Sequence, residues 1–211
     1  MPRVKQRTQR LREHVLKVAV KMLESDGVSG FTARRIAQQA HTSMPAVYEL
    51  FGDKAGLVRE LFFEGFRLLR SQLDEAVASE DPRTDLLHTL EAFRAFMRDN
   101  PVLADVMFSR PFADFDPGPE DLKAGSAVRE FIVGRVRRCL EARVLLGEEV
   151  DIAHVLVALV QGLAAQESAG WLGSSKASID RRWKLALSAT LAGLGAKTEQ
   201  TPRHQREQKP S

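Results

Sequence analysis

Few residues in this chain could do covalent or metal chemistry. Its five histidines are His14, His41, His88, His154 and His204, and none belongs to an HxxxH or HExxH pair that would set two ligands on one helix face. The single cysteine, Cys139, cannot close an internal disulfide or build a Cys-based metal cluster. It does lie among Arg137, Arg138 and Arg143, charges that would lower a thiol pKa and suit a redox sensor. A helical cysteine with no chemistry fits the same residues. There is no Gly-rich phosphate loop and no Ser nucleophile elbow. The sequence therefore predicts no catalytic residue, no metal site, no cofactor and no enzyme.

The chemistry it does carry is that of cations. Residues 1–60 hold eleven Lys and Arg against six Asp and Glu, so this part is net +5 while the whole chain is +3 and the remainder −2. A basic module on a slightly acidic body suits a protein that sets one end on a polyanion.

The elements that must position these charges are visible in Thr32 to Lys54, TARRIAQQAHTSMPAVYELFGDK. Two short helices are predicted, over about 32–40 and 44–51, with His41, Thr42 and Ser43 as the turn. Ile36, Ala37, Ala40, Val47, Leu50 and Phe51 fall where two crossing helices touch, and a larger side chain at Ala37 would push them apart. This is a helix-turn-helix pattern, whose second helix sits in the DNA major groove. Thr32, Ser43 and Asp53 stand at N-cap positions, Phe31 and Ile36 at the ends of a hydrophobic staple, and Pro45 in a first turn. His41 occupies the place where a left-handed residue is needed, at a strain of roughly 1 kcal/mol.

This stretch resembles the DNA-binding domain of the TetR family of bacterial transcriptional regulators. The matching residues are Gly27, Phe31-Thr32, Arg34, Ile36-Ala37, Ala40, Ser43, Pro45, Val47-Tyr48, Phe51, Lys54 and Leu57, within about residues 9–69. His41 departs from the usual turn glycine, and Glu49-Leu50 from a pair that is polar or aromatic in many members and helps bind phosphate. By position, the resemblance implies that Met44, Pro45 and Ala46 face base edges with Arg34 beside them. It implies that Thr32, Ser43, Tyr48 and Lys54 hold phosphates. Arg is the commonest reader of guanine, and Met44 and Ala46 offer apolar contacts such as those to thymine methyl groups.

Along the chain, residues 1–8 are expected to be a mobile basic arm suited to a phosphate backbone or a minor groove. Helices are predicted over about 8–25, 54–79, 84–99, 100–109, 120–146, 150–169 and 179–194, and a loop over 110–118. Residues 196–211 are polar, aperiodic and expected to be disordered. With the two short helices this is an all-α chain of about nine helices. A DNA-binding domain spans 9–69, with its helix-turn-helix at 32–51, and an effector-binding and dimerisation domain spans 70–195. The longest apolar run, 152–165, is too short to cross a bilayer. A soluble, cytoplasmic protein with no membrane partner is expected, and a single unpaired cysteine agrees with a reducing compartment.

By resemblance the body holds a pocket for an unidentified small-molecule effector. Candidates are Phe93, Phe96, Met97, Phe108, Phe112, Phe115, His154 and Trp171, although aromatic residues at helical spacing equally form a core. The segment ESAGWLGSS at 167–175 is similar to a Trp-His-Gly signature of one TetR-like C-terminal class, with Leu172 in place of the His. The last two helices are too apolar for exposure on all faces. Ala158, Gly162, Ala165 and Ala169 on one, and Trp183, Ala186, Ala189 and Gly193 on the other, are assigned to a two-fold, four-helix homodimer interface. The expected function is a ligand-responsive homodimeric repressor on a palindromic double-stranded operator. The alternative is a helical ligand-binding or Cys139 redox-sensing protein with little specific DNA binding.

Overall fold

A computed structural model describes residues 2–113 and 115–195, with side chains from residue 8 onward. The described residues are all-α. The helices are α1 Pro2–Gly30, α2 Ala33–Gln39, α3 Met44–Phe51, α4 Lys54–Asp74, α5 Pro82–Asp99, α6 Pro101–Phe108, α7 Pro119–Leu122, α8 Ser126–Glu141, α9 Glu149–Ser168 and α10 Lys176–Gly193. A 3₁₀ turn, Lys123–Gly125, joins α7 to α8. Counted as one segment, 119–141 brings the total to the expected nine.

Several boundaries differ from expectation. Helix α1 begins at Pro2, so the basic arm is helical. Gly27, at φ 64° and ψ −169°, leaves helical geometry close to the expected end, and a second short helical stretch continues across that kink to Gly30. Helix α4 stops at Asp74, and Val77 is 74% exposed rather than part of an apolar stripe. Helix α8 stops at Glu141, six residues before Gly147, because Arg143 takes a left-handed φ of 56°. The chain after it extends instead, and Leu145 pairs with Gly195. The tail expected to be disordered, 196–211, lies outside the described residues, as do the side chains of Arg3, Lys5 and Arg7.

Helices α1 to α4 form the basic module. Val15, Ala19 and Met22 of α1 are buried together with Ile36 and Ala37 of α2, Val47 and Phe51 of α3, and Leu57 of α4. Arg12 closes this unit at its edge: it donates to the Leu50 carbonyl at 3.0 Å, pairs with Glu60 at 2.5 Å and lies over the Phe51 ring. Helix α4 then continues into the body, so one rigid element belongs to both halves.

In the body, α5 packs on α4, α8 and α9. Asp85, 2% exposed, joins the start of α5 to α8: it accepts from the Ser79 amide at 3.1 Å and pairs with Arg138 and with Arg135 Nε at 3.3 Å. Helix α10 is clasped by a second buried network. Arg94 donates twice to Glu167 at 3.0 Å and reaches Asp180 at 2.8 Å, while Trp183 Nε1 donates to Glu167 at 2.6 Å.

By length and mean hydropathy, 1.2, α9 among the described helices is long and apolar enough to cross a membrane, a property that core helices of soluble proteins share. The apolar run expected over 152–165 falls inside this longer helix. One face, with Ile152, Leu156 and Val160, is buried against the body. The other carries Val155, Ala158, Gly162 and Ala165, all exposed.

Candidate nucleic-acid interface and effector cavity

The turn between α2 and α3 is built by local chemistry. The Thr42 amide donates to the Ala37 carbonyl at 2.9 Å and the His41 amide to the Gln38 carbonyl at 3.2 Å, the paired bonds of a Schellman ending. His41 sits between them at φ 50°, in the left-handed region. The Ser43 hydroxyl accepts from the Ala46 amide at 3.2 Å and starts α3, with Pro45 in the first turn where no amide partner is needed. After α3, Gly52 at φ 79° reverses the chain, and Asp53 caps α4 by accepting from the Gly56 amide at 2.7 Å. A Cβ at Gly56 would collide with the Phe51 carbonyl, so this close approach requires glycine.

The packed face of α3 is Val47 and Phe51, which turns Met44, Pro45, Tyr48 and Glu49 outward. Ala46 is half-buried. Tyr48 is 42% exposed, which excludes a core role for its ring. Thr32 caps α2 by accepting from the Arg35 amide at 3.4 Å. Arg34 and Arg35 part company. Arg35 pairs with Asp26 and donates to the Gly30 carbonyl at 3.2 Å, which pins α2 to the kink of α1. Arg34 is exposed, with no ion pair or hydrogen bond to the described residues. Lys54, at the start of α4, carries its Nζ 5.6 Å over the Phe112 ring. Thr32, Arg34, Ser43, Met44, Pro45 and Tyr48 are all exposed.

A cavity of about 130 Å³ lies in the body. Of the expected pocket residues, Phe93, Phe108 and His154 line it. The other five lie elsewhere. Phe96 is fully buried in the core, and Met97 packs half-buried against that core. Phe112 stacks on Phe31 at 5.2 Å, Phe115 on Phe62 at 5.6 Å, and Trp171 is 82% exposed in the loop before α10. Sequence reasoning missed Phe66, Val128, Arg129, Ile132, Val157 and Gln161 as lining residues. Phe66 had a signal, since Phe62, Phe66 and Leu69 recur at helical spacing in the sequence. Arg129 and Gln161 had none.

Ring contacts, with one backbone hydrogen bond among them, connect this cavity to the helix-turn-helix. Phe93 meets Phe108 at 6.1 Å, Phe108 meets Phe66 at 5.9 Å, and Phe66 meets Phe62 at 5.0 Å. Phe62 meets Phe115, whose amide donates to the Phe112 carbonyl at 3.2 Å. Phe112 then meets Phe31, the residue before the α2 cap. Beside this series Arg59 of α4 reaches Asp121 at 3.0 Å, and Asp121 also accepts from the Gly118 amide at 3.1 Å.

Two assignments are corrected. Trp183 is not an interface residue: it is 2% exposed, bonded to Glu167 and covered by Arg94, whose guanidinium lies 4.7 Å over its ring. Cys139 is not an activated thiol. It is fully buried and donates to the Pro82 carbonyl at 3.2 Å, and burial pushes its pKa up, aided by Asp81. The nearby arginines are engaged, Arg137 by Glu149 at 2.7 Å and Arg138 by Asp85. A protonated, enclosed thiol is a poor redox sensor.

A capped, outward-facing second helix on a basic module defines a helix-turn-helix DNA-binding regulator, not an enzyme. Residues 15–61 match the family model described as bacterial regulatory proteins, tetR family, and residues 86–190 match the one described as tetracyclin repressor-like, C-terminal domain. The chain belongs to the TetR family of transcriptional regulators. No curated protein matches it. Among solved structures it is similar to a protein of unknown function from Rhodococcus sp. RHA1, at 28% identity and a TM-score of 0.76, over 88% of this chain and 96% of that one. It also shares its fold with a TetR family transcriptional regulator, PfmR, from Thermus thermophilus, at 19% identity and a TM-score of 0.63, over 87% and 98%. A third, a TetR family transcription regulator from Marinobacter aquaeolei VT8, is 17% identical with a TM-score of 0.68, over 88% and 97%.

Proposed function

We propose that this regulator is a ligand-responsive homodimeric repressor acting in the cytoplasm on a palindromic operator. In this reading Met44, Pro45 and Ala46 enter the major groove, Arg34 reads a base, and Thr32, Ser43, Tyr48 and Lys54 hold phosphates. The dimer forms on the unpartnered faces of α9 and α10. Supporting it are Val155 and Leu185, 50% and 66% exposed, beside Ala158, Gly162, Ala165, Ala169, Ala189 and Gly193, also exposed, and the half-buried Ala186. A Cβ built at Gly162 or Gly193 meets nothing within 4 Å, so a second helix has room to approach. Such a dimer presents two α3 helices to successive major grooves.

The observation that carries the ligand response is that Phe66 lines the cavity from α4, the helix whose other end abuts the helix-turn-helix. A ligand that favours one position of Phe66 biases α4, and with it the spacing of the two reading helices. It shifts the equilibrium only by its difference in affinity for the two states. A mobility-shift assay on the DNA upstream of the protein's own gene tests this. Specific retardation that a small molecule reverses supports it, and equal retardation of unrelated DNA contradicts it.

A further inference from the structure

We propose that the cavity binds a compact carboxylate of single-ring size, its ring among Phe66, Phe93 and Phe108 and its anion on Arg129. The inference rests on the reading of this cavity as the effector site and adds the chemical class of the effector.

Size comes first. A cavity of roughly 150 Å³ lined by aliphatic and aromatic side chains holds one benzene. At about 130 Å³ this cavity has room for one ring. Its walls are otherwise apolar, with Ile132 and Val157 facing the three phenylalanines.

The polar groups on the lining set the charge. They are Arg129, His154 and Gln161, and no Asp or Glu lines the cavity. Arg129 is the one arginine on the cavity lining, and it is not among those that hold the body together. Arg94, Arg135, Arg137 and Arg138 each face a carboxylate. Arg129 has no ion pair or hydrogen bond with the described residues, so its guanidinium fork is open to a ligand. His154 has Nδ1 2.8 Å from the Val150 carbonyl, which can only accept, so Nδ1 carries a proton and Nε2 is the ring's open polar atom. Gln161 makes no hydrogen bond to the described residues and can donate from its amide. A cationic ligand would meet Arg129 with no acid to offset it. A neutral ring would leave the Arg129 and Gln161 donors unused, and a site built to bond a polar group discriminates against ligands that lack it.

Isothermal titration calorimetry on the full chain, with benzoate, benzyl alcohol and benzylamine as probes, keeps the ring constant and varies the charge. Benzoate should bind at least tenfold more tightly than the other two. Arg129→Gln, a change at an exposed position, should reduce benzoate to the level of benzyl alcohol while leaving benzyl alcohol unchanged. Benzyl alcohol or benzylamine binding as well as benzoate, an unchanged benzoate affinity in the variant, or no binding of benzoate overturns the proposal. DNA binding measured in parallel separates it from the reading beneath it. Arg129-dependent benzoate binding that leaves DNA affinity unaltered upholds the ligand class and removes the ligand response. Release of DNA by the neutral probe alone does the reverse.

Discussion

Glu167→Gln probes the clasp that holds α10, and through it the proposed dimer surface. In the folded protein one carboxylate serves three donors: Arg94 Nε and Nη2 at 3.0 Å and Trp183 Nε1 at 2.6 Å. Both charged side chains are mostly buried, Arg94 17% and Glu167 18% exposed. Burial disfavours the charge on Arg94, but Glu167 and Asp180 outweigh it and hold its pKa above the ordinary value. Glutamine keeps the shape and offers one acceptor oxygen, while its NH₂ meets an Arg94 N–H. One Arg94 bond is lost, the other keeps only its cationic donor and the Trp183 bond becomes neutral, each change being worth about 1 kcal/mol or somewhat more. Asp180 still balances Arg94, so the full cost of an orphaned buried charge does not arise. The net loss should be about 2 kcal/mol. Urea titration followed by tryptophan fluorescence and by far-UV circular dichroism measures it. Glu149→Gln is the control, since Glu149 makes the same two-pronged pair with Arg137, both bonds 2.7 Å, but at the surface. It should leave the midpoint unmoved. A Glu167→Gln shift below about 0.5 kcal/mol, or equal shifts in the two variants, refutes the view that buried clasping holds α10.

Three further outcomes are expected. Lys54→Ala should weaken binding to every DNA sequence and make the salt dependence shallower by about one unit, whereas Arg34→Ala should relax preference at one base position by about 1–3 kcal/mol; identical effects would undo the division between holder and reader. Ala189→Glu, at an exposed position on α10, should yield monomers or aggregates by light scattering and lose operator binding with residues 31–54 still helical; an intact dimer would move the interface elsewhere. His41→Gly removes left-handed strain of roughly 1 kcal/mol and adds a similar entropy to the unfolded chain, so denaturation should show little change or a slight gain; a loss of about 1 kcal/mol would reveal a contact of the His41 ring.

The helix-turn-helix was legible because its determinants are local. Caps at Thr32, Ser43 and Asp53, the left-handed His41 and the small Ala37 act within a few residues of themselves. The cavity was not, because helical spacing says which residues share a face and not what lies opposite. Phe93 and Phe96 are one turn apart, yet Phe93 meets the cavity and Phe96 is sealed in the core. Trp171 and Trp183 invert expectation for the same reason: the loop tryptophan is exposed and the interface candidate is buried under Arg94. Arg129 is one of many arginines in the sequence, and only its place on the cavity lining sets it apart. Cys139 looked electropositive until two of its neighbouring arginines, Arg137 and Arg138, proved to be matched by Glu149 and Asp85.

The central claim, a dimer that reads a palindrome, is tested most directly by a fluorescence anisotropy titration of the full chain into its own upstream DNA at physiological salt, against a scrambled duplex of the same composition. The account predicts saturation at two chains per palindrome, or a whole multiple of two, and an affinity at least about a thousandfold above that for the scrambled duplex. Saturation at one chain per site, or equal affinity for both duplexes, would contradict it.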